Sequence, residues 1–207
     1  MKKVAYQGKL GSFSHITATR IFQKTDELKG FESFMEVFDA VMNGDADVAL
    51  IPVENTIMGD ILENLDHLKD SDLTILFETT TRIRHSLLAP EGAEWKSLRK
   101  VLSHPAALAQ CTSFLRSHDL QASPHWDTAG AASHVAESND SSTAAIACAD
   151  AAEIYGLKVM ERDIQDNQEN YTRFFVLGKE PSEEGNKTSL VLSLEHKKGA
   201  LKRLWKN

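Results

Sequence analysis

The chain has 207 residues, 42% hydrophobic and 26% charged, which suits a soluble globular protein large enough for one two-lobed domain. Its formal net charge of -7 argues against a nucleic-acid binder, which needs a basic face. The net charge leaves an anionic small substrate open, because the local field at a site can oppose the charge of the whole molecule.

The first half of the chain alternates short apolar strands with amphipathic helices. The strand at 4–6 runs into a glycine-containing turn at 8–14, where Ser12 or Ser14 caps a helix. The apolar run at 47–53 is typical of a central buried strand. We predict further strands at 31–34, 73–77 and 85–89 and helices at 35–43 and 61–68.

The second half continues the alternation after a polar crossing at 78–84. Pro105 follows a strand and favours the first turn of a helix, which Ser103 or His104 caps. Asp127 and Thr128 open another helix. We predict strands at 100–102, 144–148, 157–160, 171–177 and 187–194, and helices at 105–115, 127–135 and 149–155.

This order of elements predicts an α/β protein with largely parallel sheets, divided into two lobes. Polar turns follow several predicted strands, and ligands of open α/β sheets bind at that edge. We expect these turns to face one another across a cleft. Thr172 and Arg173 enter the last strand of this region; taken alone they are typical of a solvated edge, and the polar turns are what favour an anion site.

The remaining signals limit the chemistry and the compartment. Cys111 and Cys148 lie in apolar stretches, so we expect reduced core thiols. None of the eight histidines has ligand spacing with another histidine or a cysteine, so no metal is expected. No apolar run approaches a membrane span and the N-terminus lacks the apolar core of a signal peptide, so a cytoplasmic protein is predicted.

Several motifs together resemble the prephenate dehydratase family over nearly the whole chain. They are Ala5-Tyr6-x-Gly8-x-x-Gly11-Ser12-Phe13-Ser14, Pro52-Val53-Glu54-Asn55-Thr56, Ser103-His104-Pro105, and the string from Tyr155 to Thr172-Arg173-Phe174. The chain departs from the family pattern at Lys9, Met58, Ala106 and Phe175. Of these only Ala106, where glutamine is usual, touches the expected chemistry, and Gln110 in the next helical turn offers an amide instead.

The resemblance implies conversion of prephenate to phenylpyruvate with loss of water and carbon dioxide, a carbon–oxygen lyase activity (EC 4.2.1.51) in phenylalanine biosynthesis. It also implies a fold like that of type II periplasmic binding proteins, with the active site between the lobes. The implied domains are a catalytic domain at 1–180 (lobe 1 about 1–78 and 163–180, lobe 2 about 79–162), a linker at 181–186 and the truncated start of an ACT regulatory domain at 187–207.

The resemblance also implies the site residues. Thr172 is the hydrogen-bond donor or relay to the leaving hydroxyl, Arg173 a carboxylate partner or a structural ion pair with Glu54 or Asp166, and Phe174 a ring wall or a core residue. The expected substrate-binding residues are Gly11, Ser12, Glu54, Asn55, Thr56, Ser103, His104, Gln110 and Thr128.

Three alternatives stay open: an arogenate dehydratase, a prephenate decarboxylase that does not aromatise the ring, and a non-catalytic anion-binding module. No cofactor is expected, because aromatisation drives the reaction. The expected partners are the small substrate prephenate and a second copy of the chain in a homodimer, with no nucleic acid and no membrane. L-phenylalanine is expected as an allosteric effector only with a complete ACT domain.

Overall fold

The computed structural model describes residues 1–180 and 185–204, so most of the predicted linker and the end of the predicted regulatory segment lie outside the described residues. The strands are β1 Lys3–Gln7, β2 Glu27–Phe31, β3 Val48–Asn55, β4 Gly59–Asp60, β5 Thr74–Arg82, β6 Ser86–Pro90, β7 Lys100–Ser103, β8 Gln121–Pro124, β9 Thr143–Ala147, β10 Leu157–Arg162 and β11 Tyr171–Gly178. The helices are α1 Phe13–Ile21, α2 Phe34–Asn43, α3 Leu62–Asp70, α4 Pro105–Gln110, α5 Thr112–Ser117, α6 Thr128–Ser138, α7 Asp150–Tyr155 and α8 Ala200–Leu204, with a 3-10 turn at Trp95–Ser97.

The chain forms two lobes, each built on one sheet of the same design. The first sheet has the order β2-β1-β3-β11-β5, with β4 paired to β3, and the second has the order β8-β7-β9-β6-β10. Along each five-strand order, three parallel strands are followed by two antiparallel pairings, so only the fourth strand runs opposite to the others. The two lobes are therefore topological repeats, which confirms the two-lobed α/β prediction.

The prediction of largely parallel sheets is wrong, because both sheets are mixed. The first sheet loses parallel order where β11 lies between β3 and β5 and runs antiparallel to both. The chain leaves the first lobe at the end of β5 and returns to it at the start of β11, where Tyr171 pairs with Arg82. A strand that re-enters at the crossing end must run opposite to the strand that left there.

Two predicted strand boundaries are also wrong, and one predicted strand is absent. The second strand is Glu27–Phe31 rather than 31–34, because Ser33 and Glu36 form a capping box that places Phe34 in α2. The strand β5 extends through Arg82, so residues 78–82 belong to the first sheet and the crossing is shorter than predicted. The predicted strand at 187–194 is absent in the described part of the tail, and its apolar residues Leu190 and Val191 are exposed.

Two further differences lie in the second lobe. The strand β8 was not predicted, because its burial pattern is mostly exposed and its sequence has no apolar alternation. The single helix predicted at 105–115 is divided into α4 and α5 at Cys111, whose backbone leaves the helical region with φ -120 and ψ 24.

The helix α1 packs against both lobes. Its Ala18 belongs to the apolar cluster on the first sheet, together with Tyr6 and Leu50. Its Ile16 belongs to the cluster formed by α6, α7 and the second sheet, and Phe13 packs at the edge of that cluster. Burying a side chain such as Ile16 contributes about 1.5–3 kcal/mol, so α1 stabilises the contact between the lobes. No helix in the described part of the chain is long and apolar enough to cross a membrane.

Candidate active site

The lobes meet where the loop between β1 and α1 contacts the second lobe. The Cys148 thiol donates to the carbonyl oxygen of Gly11 at 3.1 Å, and the Tyr155 hydroxyl donates to that of Leu10 at 2.7 Å. Gly11 has φ +79, and a Cβ at this position would lie 3.1 Å from Cβ of Ala151. The positive φ and the close approach both favour glycine, so the loop is fitted to the opposite lobe.

Thr172 lies on β11 in the middle of the first sheet, opposite Asn55 on one side and Thr81 on the other. Its Oγ1 accepts a hydrogen bond from Asn55 Nδ2 at 3.0 Å, and the residue is 8% exposed. The Thr81 hydroxyl lies 2.9 Å from that of Thr17 on α1. Thr172 therefore sits on the face of the sheet that α1 covers, at the end of the sheet where the two lobes join.

A chain of amide groups connects Thr172 with the second lobe. Asn55 Nδ2 also donates to Asn170 Oδ1 at 2.8 Å, and Asn170 Nδ2 donates to Gln110 Oε1 at 2.9 Å. Gln110 Oε1 in turn lies 2.9 Å from His85 Nε2. The structure thus brings together three residues that the sequence predicted for the site, Thr172, Asn55 and Gln110.

Asn170 and His85 belong to this series of hydrogen-bonded side chains but were not predicted for the site. Asn170 was detectable in principle, because it lies two residues before Thr172 and such positions share a face when the strand is extended. His85 is 3% exposed at the end of the crossing into the second lobe, directly before β6, and burial lowers its pKa against a smaller opposing effect of the Gln110 hydrogen bond. A single histidine in an apolar stretch carries no sequence signal of such a contact.

Arg173 does not join Thr172, because adjacent strand residues point to opposite faces of a sheet. The Arg173 guanidinium donates to Glu78 through Nε at 2.8 Å and also through Nη2, and contacts Glu54 at 3.5 Å. It also lies over the Phe175 ring, 4.9 Å from the centroid. The predicted ion pair of Arg173 with Glu54 is therefore present, although Glu78 is the main partner of Arg173. Asp166, the other predicted partner, accepts a hydrogen bond from the Ser113 N–H instead.

The ion pair between Arg173 and Glu78 changes the pKa of both residues. Hydrogen bonds from Lys187 and then from Arg173 lower the pKa of Glu78, and the bond to Glu78 raises the pKa of Arg173.

Phe174, on the same face as Thr172, is 1% exposed and packs with Tyr6 and Leu50 in the apolar core. Phe174 thus has the core position that was the alternative to a ring wall.

Two of the predicted polar residues cap helices, and a third is bonded inside the second lobe. Ser12 Oγ accepts from the His15 N–H at 3.2 Å as the N-cap of α1. His104 is exposed and its Nδ1 accepts from the Ala106 N–H at 3.2 Å. Ser103 is fully buried, and its hydroxyl donates to the carbonyl oxygen of Ile146 at 2.6 Å. The Ser103 hydroxyl is therefore used inside the second lobe.

The other predicted residues lie at the rim. Thr56 is exposed; its hydroxyl donates to the Glu169 carbonyl at 2.9 Å and accepts from the Tyr171 N–H at 2.9 Å. Glu54 is exposed and turned towards Arg173. Thr128 is half-buried at the first position of α6, directly after its cap Asp127.

A cavity of about 410 Å³ lies between α1, the crossing segments and the start of α7. Phe13 and Thr81 line it, and so do four arginines and two aspartates: Arg20, Arg82, Arg84, Arg162, Asp150 and Asp163. Arg84 binds Asp163 in a bidentate pair at 2.6 and 2.8 Å. Its four arginines outnumber its two aspartates, so the lining of this cavity, which includes Thr81 opposite Thr172, carries a net positive charge in an acidic protein. Within residues 1–180 and 185–204 no group of three or more histidine, cysteine, aspartate or glutamate residues is placed to hold a metal ion.

Two mixed sheets of the same topology, joined by two crossing segments, define a two-lobed α/β protein of the type II periplasmic-binding-protein-like class. The family model described as prephenate dehydratase matches residues 4–182. The chain therefore belongs to the prephenate dehydratase family.

Curated relatives and solved structures resemble the chain over most of its length. The chain is 41% identical to arogenate dehydratase/prephenate dehydratase 2 of Arabidopsis thaliana over 203 residues, which is 96% of this chain and 53% of that protein. The prephenate dehydratase of Arthrobacter aurescens, solved in complex with L-Phe, superposes with a TM-score of 0.87 at 25% identity, covering 98% of this chain and 70% of that one. GqqA, described as a novel type of quorum quenching acylase, gives a TM-score of 0.83 at 25% identity, covering 99% and 76%. The chain spans about half the length of the curated relatives it matches.

Proposed function

We propose that this chain is the catalytic domain of a prephenate dehydratase, which converts prephenate to phenylpyruvate with loss of water and carbon dioxide. The observation that carries the proposal is the Thr172 hydroxyl, which accepts from Asn55 Nδ2 where the lobes join. Because the oxygen accepts from Asn55, the hydroxyl proton remains available to a group in the cleft. Membership of the family supports a dehydration as the chemistry at this position.

The reaction needs a hydrogen-bond donor at the leaving oxygen. As the ring carboxylate leaves as carbon dioxide, the electron pair of the broken carbon–carbon bond enters the ring and expels the ring hydroxide. The aromatic ring formed is the driving force, so the reaction needs no separate electron sink. Thr172 is too weak an acid to serve as a free proton source, so it acts as a donor or relay that stabilises the departing hydroxide.

The substrate carries two carboxylates that the site must hold. The first turn of α1, after Gly11 and Ser12, presents backbone N–H groups and the positive end of the helix dipole to the lobe interface. The arginine-lined cavity next to Thr81 adds positive charge on the same side. Gln110 offers amide N–H groups, whereas the Asn55 amide is already bonded to Thr172, Asn170 and the backbone and therefore orients Thr172. His104 and Thr128 are the second-lobe residues that we propose to contact the substrate. Arg173, Phe174 and Glu54 support β11 from outside the substrate site.

The direct test is to incubate the purified protein with prephenate and to follow phenylpyruvate by its absorbance in alkali. Thr172→Ala should lower kcat by about 100-fold with a much smaller change in KM, since a donor at the leaving group acts in the transition state. Thr172→Ser keeps a hydroxyl and should retain most of the rate. Thr80→Ala is the matched control, because Thr80 is exposed and pairs with Arg173 on the neighbouring strand. An unchanged kcat in Thr172→Ala would refute the assignment.

The substrate is either prephenate or its amino analogue arogenate. The Arabidopsis relative is described as acting on both. Comparing kcat/KM for the two substrates on the same preparation decides between them, and product from neither would indicate a binding module. The decarboxylase alternative would yield a non-aromatic product without the absorbance of phenylpyruvate.

The tail belongs to a larger protein in this proposal. Leu190, Val191, Leu192 and Leu194 are exposed, which supports the start of an ACT domain whose remaining strands would cover them. Phenylalanine is then the expected effector of a longer chain that contains the whole domain, and product formation by residues 1–207 should be insensitive to it. The homodimer and the cytoplasmic location stay predictions, to be checked by light scattering and by cell fractionation.

A further inference from the structure

Five side chains form one continuous hydrogen-bonded chain from the first lobe to the second. In order they are Thr172, Asn55, Asn170, Gln110 and His85, with successive distances of 3.0, 2.8, 2.9 and 2.9 Å. An amide or imidazole chain of this kind has two possible directions, because exchanging oxygen and nitrogen in every amide reverses each donor and acceptor. The direction decides which way the Thr172 proton points.

The backbone next to Asn55 fixes the direction. Asn55 Oδ1 accepts from the N–H groups of Ile57 at 2.9 Å and Met58 at 3.0 Å. Backbone N–H groups cannot accept, so a reversed Asn55 would set two donors against its own amide nitrogen. Asn55 Nδ2 must therefore face Thr172 Oγ1 and Asn170 Oδ1, and the hydroxyl proton of Thr172 is not used in this bond.

The direction is transmitted to the other end of the chain. With its Oδ1 facing Asn55, Asn170 presents Nδ2 to Gln110 Oε1, which therefore faces both Asn170 and His85. Gln110 Oε1 is an acceptor only, so His85 must donate from Nε2 and leave Nδ1 without a proton. His85 Nδ1 is buried and has no partner among the described residues, and burial lowers the pKa of His85, which keeps the ring neutral. Gln110 Nε2 makes no hydrogen bond among the described residues and is not fully buried, so its N–H groups can bind a ligand.

We propose that His85 is a positioning residue for the dehydration: its Nε2–H holds Gln110 Oε1 so that the Gln110 amide N–H groups face the substrate and Thr172 keeps its proton towards the leaving hydroxyl. The proposal rests on the proposed function for its catalytic consequence. The tautomer of His85 follows from the contacts alone.

Variants at His85 separate this role from packing. His85→Phe keeps a ring against Phe13, whose centroid lies 5.5 Å from that of His85, but removes the donor. We expect its kcat to fall about tenfold, because a buried acceptor loses its partner and Gln110 can turn, while KM changes less than about threefold. His85→Gln places an amide N–H near the position of Nε2 and should recover most of kcat. His67→Phe is the matched control, because His67 is half-buried on α3, also packs on a phenylalanine and lies outside the chain.

A second measurement does not depend on turnover or on the folding of a variant. Nitrogen-15 NMR of histidine-labelled wild-type protein reports which ring nitrogen carries the proton, and we expect His85 as the Nε2–H tautomer. A proton on Nδ1, a wild-type kcat in His85→Phe, or a His85→Gln variant no faster than His85→Phe would overturn the proposal. If wild-type protein turns over neither prephenate nor arogenate, the proposed function fails, and the NMR result still decides the direction of the chain.

Discussion

Thr172 and Arg173 are neighbours in the sequence whose side chains serve opposite faces of the first sheet. Thr172 points to the side covered by α1, opposite Thr81, and Arg173 points to the side where Glu78 and Phe175 lie. The pair that marks the family motif is therefore divided between two tasks. Thr172 lies at the lobe interface, and Arg173 binds Glu78 and so connects β11 with β5.

This division predicts a stability defect rather than a chemical one for Arg173. Arg173→Gln should lower the free energy of unfolding by about 0.5–1 kcal/mol, since the pair with Glu78 is only partly buried. We expect kcat to change by less than about threefold. Denaturant unfolding of Arg173→Gln, Glu78→Gln and the double variant gives the coupling of the pair. A large kcat loss in Arg173→Gln with Glu78→Gln fully active would mean that Arg173 binds the substrate.

Gly11 and Gly44 offer a matched test of the contact between the lobes. Both have positive φ, +79 and +83, but only Gly11 has neighbours within 4 Å, the nearest being Cβ of Ala151 on the second lobe. Gly44→Ala should cost about 1 kcal/mol from backbone strain alone. Gly11→Ala should cost more, because the added methyl also pushes the lobes apart, and it should raise KM. Equal losses of stability with an unchanged KM would show that the contact has no role in holding the cleft.

The sequence predicted the elements that carry strong local signals. The apolar run of β3, the cap of α6 at Asp127 and the glycine turn before α1 all follow from residues close together in the chain. The edge strands β2 and β8 were displaced or missed, because both are largely exposed and are held by backbone pairing with β1 and β7 rather than by an apolar pattern. Backbone pairing does not depend on a particular side-chain pattern, so the sequence does not indicate such strands.

The candidate site shows the same limit. Thr172, Asn55 and Gln110 were predicted from motifs, but the bonds that connect them depend on residues far apart in sequence. Arg173 and Glu78 are 95 positions apart, and His85 and Gln110 are 25 apart. Which side chain meets which is decided by strand register and by the approach of the lobes, neither of which a single strand or helix specifies.

The two cysteines should be unreactive in the native protein. Burial raises the pKa of Cys111 to about 12 and that of Cys148 to about 11. At pH 8 only about one Cys148 thiol in a thousand is then ionised, and the thiolate is the reactive form. A chromogenic thiol reagent should label neither residue natively and both after unfolding in denaturant. Rapid labelling of one thiol, assigned with Cys111→Ala, would show that Cys148 is released from Gly11 and that the lobes open.

Asp127 and Asp140 should give pH dependences of opposite sign. Burial raises the pKa of Asp127, whose Oδ2 is buried without a partner in the described structure, so the folded state binds the proton more tightly than the unfolded state. Stability therefore decreases as pH rises from the unfolded value of 3.8 through the raised folded value. Asp127→Asn still caps α6 and should be more stable than wild type at neutral pH, with the difference vanishing below about pH 4.

Asp140 is the control for that experiment. Hydrogen bonds from Thr143 and then from Ser142 lower its pKa, so its contribution is present above the unfolded value and is lost as pH falls through the lowered folded value. Asp140→Asn should therefore be less stable than wild type at neutral pH and equal to it in acid. Thermal unfolding of both variants from pH 3 to pH 8 checks the two signs together. If Asp127→Asn behaves like Asp140→Asn, the Asp127 carboxylate is stabilised by Lys9 and His125 more than burial penalises it, and the raised pKa is wrong.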